Sequence, residues 1–330
     1  MSRIYDFFSG GNKSGKGVTK KQVEFDKKLG FGFFFRLLKT RLGKFSSTNL
    51  IFALCNIFLF VALLGLSGIL DDTAPTAANP FYSQISAAAK NDGSPAIASL
   101  YSIFCASIEW RVISKVSTIL MSTVVVLVFT FGLSTIGMVY NIRNVCTGEH
   151  IDTWNDYFYA IKRNFKQGIV IGVMDSLLIC LLVYDILAYR SEAGNEFIFL
   201  VFFYASVIFA VIYYIMRFYL YLQLVTCEMT IGKMIKNAFL LTMLGFKRNF
   251  VGLLGAGVFM FAFLYAYILL PQFSVLLLCM FAFSFLTYIG VYCAYPTLKK
   301  YVLDPYYDEH PDERPEDPWS TTEHVFVDRG

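Results

Sequence analysis

The sequence has little charge and few of the residues that usually carry chemistry. Only 16% of its 330 residues are charged, and three are histidines. His150, His310 and His324 have no partner at the spacing of a metal site. The seven cysteines form no Cys-x-x-Cys pair, so no disulfide framework is indicated. No nucleophile elbow or pair of catalytic carboxylates occurs. We therefore expect no bound metal, no cofactor and no enzymatic activity.

Long apolar stretches dominate the chain instead. Hydrophobic residues make up 56% and aromatic residues 18% of it, and the mean hydropathy is +0.56. Six stretches reach the ~20 apolar residues that a helix needs to cross a bilayer. They are residues 46–70, 117–139, 168–189, 197–222, 251–270 and 273–298. The pattern predicts an all-α polytopic membrane protein whose six transmembrane helices form three hairpins joined by cytoplasmic amphipathic helices.

The lysines and arginines predict the orientation of these spans. Of 28 such residues, 23 fall in residues 1–45, 140–166, 223–249 and 297–330. By the positive-inside rule, both termini are cytoplasmic. A cleaved signal peptide is not expected, because 45 mostly polar and basic residues precede the first span. We therefore expect a basic and aromatic N-terminal segment (1–45), a transmembrane domain (46–298) with an outer loop (71–116), and an acidic cytoplasmic tail (299–330).

Both internal cytoplasmic connections have the periodicity of amphipathic helices. In the first, one apolar stripe recurs at helical spacing, and Thr153 with Asp156 predicts a capping box. The second has Thr230 as its candidate cap. The predicted apolar faces are Trp154, Tyr157, Phe158, Ile161 and Phe165 in the first connection, and Ile231, Met234, Ile235 and Ala238 in the second.

The tetrapeptide Lys-Arg-Asn-Phe occurs twice just before a span, at 162–165 and 247–250, and Gly43-Lys44-Phe45 resembles it before the first span. One explanation is that basic and aromatic residues anchor any cytoplasmic helix end. The other is a threefold repeat of a surface helix followed by a transmembrane hairpin.

Three charged residues fall within the predicted spans. A charge in hydrocarbon costs at least about 2.5–3.5 kcal/mol, so each is a candidate functional residue. Asp175 and Arg217 lie where they could pair across a hairpin, and Asp185 lies nearer the outer boundary. An ion pair and a substrate or proton pathway are both open. Glycines in two spans predict close helix packing: Gly132 and Gly137 in the second, and Gly252, Gly255 and Gly257 in the fifth.

The stretch from Ser134 to Gln167 resembles the YesL-like family of bacterial membrane proteins, whose biochemical function is unknown. The matching residues are Arg143, Asn144, Gly148, Glu149, His150, Trp154, Asp156, Lys162, Asn164, Lys166 and Gln167. The Gly15-Lys16-Gly17-Val18 start and the six-span layout are also similar to clostridial members. The resemblance covers about residues 15–300, and the outer loop departs from it by being longer.

The resemblance implies an association with other proteins and does not imply a reaction. Such proteins are typically encoded beside carbohydrate ABC uptake systems in Gram-positive bacteria. It suggests an accessory or regulatory subunit of the plasma membrane whose partners are the bilayer and the permease subunits, with no nucleic acid. The expected partner-binding residues are Trp154, Asp156, Lys162, Arg163, Asn164, Lys166, Gln167, Lys247, Arg248 and Asn249. A small-solute transporter or channel is the main alternative, and it requires Asp175 and Arg217 to face a hydrated cavity. A membrane enzyme acting on lipid or glycan lacks the cluster of His, Asp or Glu that it would need.

Overall fold

Helices form most of the structure. The computed structural model describes residues 30–75, 82–91, 94–104, 109–149, 151–194 and 196–313. Its α-helices are α1 (Phe31–Cys55), α2 (Ile57–Leu66), α3 (Tyr82–Asn91), α4 (Pro95–Phe104), α5 (Lys115–Ser122), α6 (Val124–Thr147), α7 (Thr153–Arg163), α8 (Phe165–Glu192), α9 (Phe197–Thr226), α10 (Ile231–Leu244), α11 (Phe246–Leu269), α12 (Pro271–Leu277), α13 (Phe283–Leu298) and α14 (Asp304–Glu309). Strands β1 (Asp72–Pro75) and β2 (Glu109–Val112) form one small ribbon. Two π-helical turns, Leu278–Ala282 and Lys299–Leu303, flank α13, and a 3₁₀ turn, Pro311–Glu313, follows α14.

Several of these helices are long and apolar enough to cross a membrane. Five helical runs pass that test: Lys115–Thr147, Phe165–Glu192, Phe197–Thr226, Phe246–Leu269 and Phe273–Glu309. Helices α1 and α2 make a sixth if the pair is one broken span. Only 6% of the most apolar window of α9 and 11% of that of α11 are buried inside the protein. Apolar surface left uncovered on this scale indicates a membrane protein. The prediction of a helical protein with about six apolar spans is confirmed at this level.

The first helix begins much earlier than the span predicted from Ser46. Helix α1 starts at Phe31 and is interrupted only by a kink at Arg41, where φ is −113° and ψ is 16°. Its first turns are held by the body of the protein, because the Tyr288 and Tyr292 hydroxyls of α13 donate to the backbone carbonyls of Phe34 and Gly30. The apolar stretch then breaks at Asn56, and α2 ends at Leu66.

The chain divides into two compact units, of which the smaller is Ile57–Leu127. This unit contains the whole of the predicted outer loop (71–116), and its described part holds the ribbon, α3 and α4 rather than turns alone. The strands are antiparallel, with Asp72 opposite Val112. Ser114 caps α5 by accepting a hydrogen bond from the Ser117 backbone N–H at 3.0 Å. In the same unit, Gly65 of α2 lies close to Leu120 of α5.

The larger unit consists of Met1–Asn56 and Val128–Gly330. Within its described residues, α13 packs against α1, α9 and α11, and α9 packs against α8 and α10. The core is rich in large side chains, including Phe33, Phe45, Tyr157, Tyr219, Tyr221 and Tyr288, each at most 2% exposed. Helices α6 and α8 cross at Gly132 and Gly172, where a Cβ on Gly172 would lie 2.7 Å from the Gly132 Cα. Such a crossing admits only glycine on both helices.

Three short non-helical breaks separate a connecting segment from an apolar helix. The breaks are Arg41 within α1, Asn164 between α7 and α8, and Gly245 between α10 and α11. All three have similar backbone angles, with φ of −113°, −104° and −82° and ψ of 16°, 17° and 10°. The arrangement of connecting helix, break and apolar helix therefore occurs three times, as the repeat hypothesis requires. The two Lys-Arg-Asn-Phe tetrapeptides are not equivalent in it, because the first spans its break and the second follows Gly245.

Candidate functional site

A buried carboxylate lies at the centre of the α8–α9 hairpin. Asp175 of α8 is 1% exposed. Arg217 of α9 donates to it through two nitrogens, Nε to Oδ1 at 2.6 Å and Nη2 to Oδ2 at 2.7 Å. The hydroxyls of Tyr213 and Tyr221 donate to Oδ1 and Oδ2, each at 2.8 Å. These three residues of α9 are spaced four apart, which places them on one helix face.

The predicted pairing of Asp175 with Arg217 is confirmed. The bidentate geometry neutralises both charges, and the two tyrosines fill the remaining acceptor positions of the carboxylate. The guanidinium also lies 5.5 Å from the ring centroid of Phe131 in α6, a cation–π distance. Asp185, the other predicted intramembrane carboxylate, is half-buried and lies ten residues further along α8.

A cavity of about 120 Å³ adjoins this ion pair inside the larger unit. It is lined by residues of α1, α6, α9 and α13, and Arg217 is one of them. Asp175 is not part of the lining. The transporter alternative requires both Asp175 and Arg217 to face a hydrated cavity. Of these two residues, only Arg217 lines the cavity.

The motif residues at the end of α6 hold the turn into α7. Arg143 donates to the Asn144 Oδ1 at 2.7 Å and forms an ion pair with Glu149 at 2.9 Å. Gly148 has a φ of 81°, and its N–H donates to the Asn144 carbonyl. This left-handed residue closes the helix end as a glycine C-cap does. His150, also part of the motif, lies outside the described residues, as do residues 1–29 with the Gly15-Lys16-Gly17-Val18 start, and residues 314–330 of the tail.

Helix α7 is fixed against α6 by one of its aromatic residues. Tyr157 is fully buried, and its hydroxyl donates to the Ser134 carbonyl at 2.7 Å. Its ring lies so close to Gly137 that a Cβ there would come within 2.6 Å of the ring carbons. Burial raises the pKa of the Tyr157 phenol well above its usual value. The close packing predicted for Gly132 and Gly137 is therefore confirmed.

The predicted cap of α7 is displaced by one residue. Asp152, not Thr153, is the N-cap, and its side chain makes no capping hydrogen bond. Asp156 instead accepts from the Asp152 backbone N–H at 2.9 Å. A carboxylate in the first turn satisfies this donor from inside the helix and also interacts favourably with the helix dipole. Thr230 is the N-cap of α10, as predicted, without a side-chain capping hydrogen bond.

The opposite side of α7 is exposed. It includes Trp154 and Phe158, so the prediction that these two residues share one apolar face with the buried Tyr157 is wrong. Trp154 is 51% exposed and stacks on Phe158 at a centroid distance of 6.1 Å. Lys162, Arg163 and Lys166 are also exposed. Arg163 reaches the exposed Glu228 at 3.2 Å, a surface pair that contributes about 0–1 kcal/mol. We name Trp154, Phe158, Lys162 and Arg163 of α7, together with Lys166 in the first turn of α8, the α7 face.

Three of the predicted partner-binding residues are engaged within the protein instead. Asn249 is 5% exposed, accepts from the Tyr219 hydroxyl at 2.8 Å and donates to the Thr242 carbonyl at 2.9 Å. Asn164 donates to the Ala160 carbonyl, and Gln167 to the Met229 carbonyl at 3.1 Å. These amide side chains donate to backbone carbonyls at helix ends or in the adjoining loop, and so tie neighbouring segments together. Lys247 and Arg248 remain exposed.

The loop that Gln167 contacts also contains a cysteine with altered acidity. Burial raises the pKa of the Cys227 thiol to about 11, although the nearby Arg143 guanidinium lowers it. The thiol is therefore protonated at neutral pH. It acts as a small apolar residue near the end of α6.

Helix α10 differs from α7 in what it exposes. Its buried face contains Met234, Ala238 and Leu241, which confirms the predicted contribution of Met234 and Ala238. Lys233 and Lys236 are exposed in its first half. Its second half exposes Phe239, Leu240, Met243 and Leu244. A basic first half and an apolar second half are typical of a helix that enters the membrane interface.

A buried amide that the sequence analysis did not identify holds the π turn before α13. Asn49 of α1 is fully buried, and its Nδ2 donates to the carbonyls of Leu278 and Cys279 at 3.0 and 2.7 Å. Its Oδ1 accepts from the Ser284 backbone N–H at 2.8 Å. A π turn leaves backbone groups outside the regular hydrogen-bond ladder. One amide side chain provides both the donors and the acceptor that these groups need.

Two other features concern residues within the apolar helices. Asn56, at the break after α1, donates to Ser134 Oγ at 2.6 Å and to the Phe52 carbonyl. The glycines of α11 differ from one another, because a Cβ on Gly252 would contact Cys293 at 3.1 Å, whereas one on Gly257 would have nothing within 4 Å. The prediction of close packing at Gly257 is therefore wrong.

Among the described residues, no group of three or more His, Cys, Asp or Glu side chains is arranged to hold a metal ion.

Comparison with known proteins gives one match. The family model described as "Protein of unknown function, DUF624" matches residues 112–186. No curated protein matches the chain, and no solved structure does. The matched region runs from the last residue of β2 to within α8, so it contains the motif residues, α7 and Asp175. It covers less than half of the chain, and over that region the protein is similar to this family of unknown function.

Proposed function

We propose that this protein is an accessory or regulatory subunit of the bacterial plasma membrane, associated with carbohydrate ABC uptake, and that it binds the permease subunits through the α7 face. In this proposal it is a YesL-like protein with six spans, the first broken at Asn56, and both termini are cytoplasmic. The distribution of lysine and arginine supports that orientation, because α7 and α10 both carry cations next to apolar helices.

The single observation that carries the proposal is that one side of α7 packs against the protein while the other side is exposed. Tyr157 and the buried Ala160 fix one side to the protein. The other side presents an aromatic pair, Trp154 and Phe158, next to three cations. Aromatic and arginine side chains on a rigid helix are the residues that most often dominate binding energy at protein interfaces.

Helix α10 is a poorer candidate for this role. Its exposed second half is uniformly apolar, which suits the acyl-chain boundary of a bilayer. The α7 face mixes aromatic and cationic groups and so suits an acidic, partly apolar protein surface. We therefore place the permease contact on α7 and the membrane-surface contact on α10.

Co-purification with variants in full-length protein tests the proposal. A tagged protein, expressed together with the permease subunits of a carbohydrate ABC transporter and extracted in mild detergent, should retain those subunits. Trp154→Ala combined with Lys162→Glu should lower the recovered permease by about tenfold or more, because truncating a central interface tryptophan costs about 2 kcal/mol or more. Lys233→Glu combined with Lys236→Glu on α10 is the matched control and should retain the permease.

Two results would refute the proposal. One is a clean monomer in mild detergent that retains no permease. The other is equal recovery with the α7 and α10 variants, which would mean that α7 only anchors the protein at the lipid headgroups. Orientation is tested separately, because a protease added outside intact cells should not cleave between Lys162 and Lys166.

A further inference from the structure

The cavity beside Arg217 has the size of a small-ligand site. Its volume is about 120 Å³. An engineered cavity of about 150 Å³ with apolar walls binds benzene, whereas one water molecule needs only about 10–15 Å³ by the same measure. The cavity therefore has room for a compact molecule of roughly six or seven non-hydrogen atoms.

The cavity walls are mainly aromatic. Phe52, Phe131, Phe218 and Phe283 contribute four rings from four different helices, α1, α6, α9 and α13. Leu286 and Val139 add aliphatic surface. Four hydroxyl-bearing residues also line the cavity, namely Thr135, Tyr214, Tyr221 and Thr287. The hydroxyls of Thr135, Thr287 and Tyr221 already donate to the Phe131 carbonyl, the Phe283 carbonyl and Asp175. Walls that are mainly aromatic with a few polar groups favour an apolar ring that carries a small polar substituent.

Arg217 adds a donor to the cavity without adding net charge. Its Nε and one proton of Nη2 are directed at Asp175. The Arg217 side chain is part of the cavity lining. The charge is balanced by a carboxylate that lies outside the cavity lining. A ligand at this position therefore meets hydrogen-bond donors on a neutral ion pair.

We propose that the cavity is a binding site for a small neutral ring compound that carries one hydrogen-bond-accepting oxygen, such as a carbonyl. The ring would occupy the aromatic part, and the oxygen would accept a hydrogen bond from the Arg217 guanidinium. A carboxylate ligand is disfavoured because Asp175 already neutralises the arginine. This site is distinct from the α7 face and does not depend on the permease proposal.

Met138 provides a reporter inside the site. It lines the cavity, and its sulfur lies 3.0 Å from the Thr287 hydroxyl. Met260 of α11 is 42% exposed on the outside of the protein and reports general partitioning into the surrounding lipid. The full chain, labelled with ¹³C at the methionine methyl groups and placed in nanodiscs, is titrated with cyclohexanone. Methylcyclohexane is the matched probe, because it has the same number of non-hydrogen atoms and no oxygen.

The Met138 methyl resonance should shift saturably with cyclohexanone, and methylcyclohexane should bind about tenfold more weakly because it cannot accept the hydrogen bond. The Met260 resonance should show no saturable shift. Thr135→Phe, which fills the cavity from α6, should abolish the Met138 response, whereas Val258→Phe on the exposed side of α11 should leave it intact.

The wild-type comparison decides the proposal even if Thr135→Phe does not fold. No saturable shift of Met138 would overturn it. Equal binding of the two probes would also overturn it, because the cavity would then be only an apolar void. A Met138 response that persists in a folded Thr135→Phe variant would place the binding elsewhere and have the same consequence.

Discussion

The larger unit buries polar groups in two different ways. On the α8–α9 hairpin, a charged pair is held by side chains alone, with Arg217 and two tyrosines around the Asp175 carboxylate. Beside α13, a neutral amide, Asn49, serves backbone groups of an irregular turn. The charged centre joins two regular helices, whereas the Asn49 amide forms hydrogen bonds with backbone groups at an irregular, π-helical turn. In this protein a charge therefore specifies which helices pair, and an amide permits a helix to depart from ideal geometry.

The largest effect should come from removing the carboxylate. Asp175→Leu leaves the guanidinium and two tyrosine hydroxyls without their acceptor, and the free energy of unfolding should fall by about 3–5 kcal/mol. Unfolding by SDS titration in mixed micelles measures this. Asp185→Leu on the same helix is the control and should change the value by less than about 1 kcal/mol, because Asp185 is half-buried.

The double variant Asp175→Leu with Arg217→Met extends that test. It replaces the whole ion pair by apolar groups and should recover most of the lost stability, since a complete pair can often be replaced without cost. Equal losses for Asp175→Leu and Asp185→Leu would contradict the central place of the charged pair.

The amide centre should be the next most sensitive. Asn49→Leu removes three hydrogen bonds at a fully buried position, two to carbonyls and one from the Ser284 N–H. We expect a loss of about 2–4 kcal/mol in the same titration. Asn155→Leu on the exposed side of α7 should cost less than about 0.5 kcal/mol. A small effect at Asn49 would mean that the π turn does not depend on the hydrogen bonds of the Asn49 side chain.

The charged hairpin is also positioned by contact between glycine backbones. Gly172→Ala would place a Cβ 2.7 Å from the Gly132 Cα and should cost about 1–3 kcal/mol through overpacking. Gly257→Ala, with nothing within 4 Å, should be neutral or stabilise the helix by up to about 1 kcal/mol. Similar values for the two variants would show that the α6–α8 crossing is looser than described.

The smallest change removes a single tyrosine hydroxyl, in one variant a hydroxyl that donates to a charged acceptor and in the other a hydroxyl that donates to a neutral amide. Tyr213→Phe deletes a hydrogen bond to a carboxylate and should cost about 1.5–3 kcal/mol. Tyr219→Phe deletes one to the neutral Asn249 side chain and should cost about 0.5–1.5 kcal/mol. Thermal or SDS unfolding of both variants under identical conditions gives the difference, and a reversed order would break the distinction between the centres.

The sequence predicts the charged centre well and the amide centre poorly. A carboxylate and a guanidinium within apolar stretches stand out, because hydrocarbon tolerates them only in pairs, so Asp175 and Arg217 were identifiable. Asn49 gives no such signal, because a single amide is common in apolar spans and a π turn has no reliable pattern in the sequence. Only the three-dimensional neighbour of Asn49, more than 200 residues away in the chain, explains it.

Boundaries and surfaces were predictable to different degrees. Hydropathy marks only the apolar part of a helix, so the span predicted from Ser46 is the second part of α1, which begins at Phe31. The cationic residues of α7 and α11 were correctly expected on the surface. Asn164, Gln167 and Asn249 were expected there too, but short amide side chains next to helix breaks pair with nearby backbone groups instead.

Only one non-helical residue, Asn164, separates α7 from α8, and it forms the pivot about which α7 would tilt relative to α8. Asp175 lies eleven residues beyond the pivot, about 16 Å along the helix axis at 1.5 Å per residue. A partner that tilted α7 would therefore turn the base of the helix that carries the buried carboxylate. A tilt of α7 would thus be carried to Asp175 by a single helix, with no loop between the break and the carboxylate.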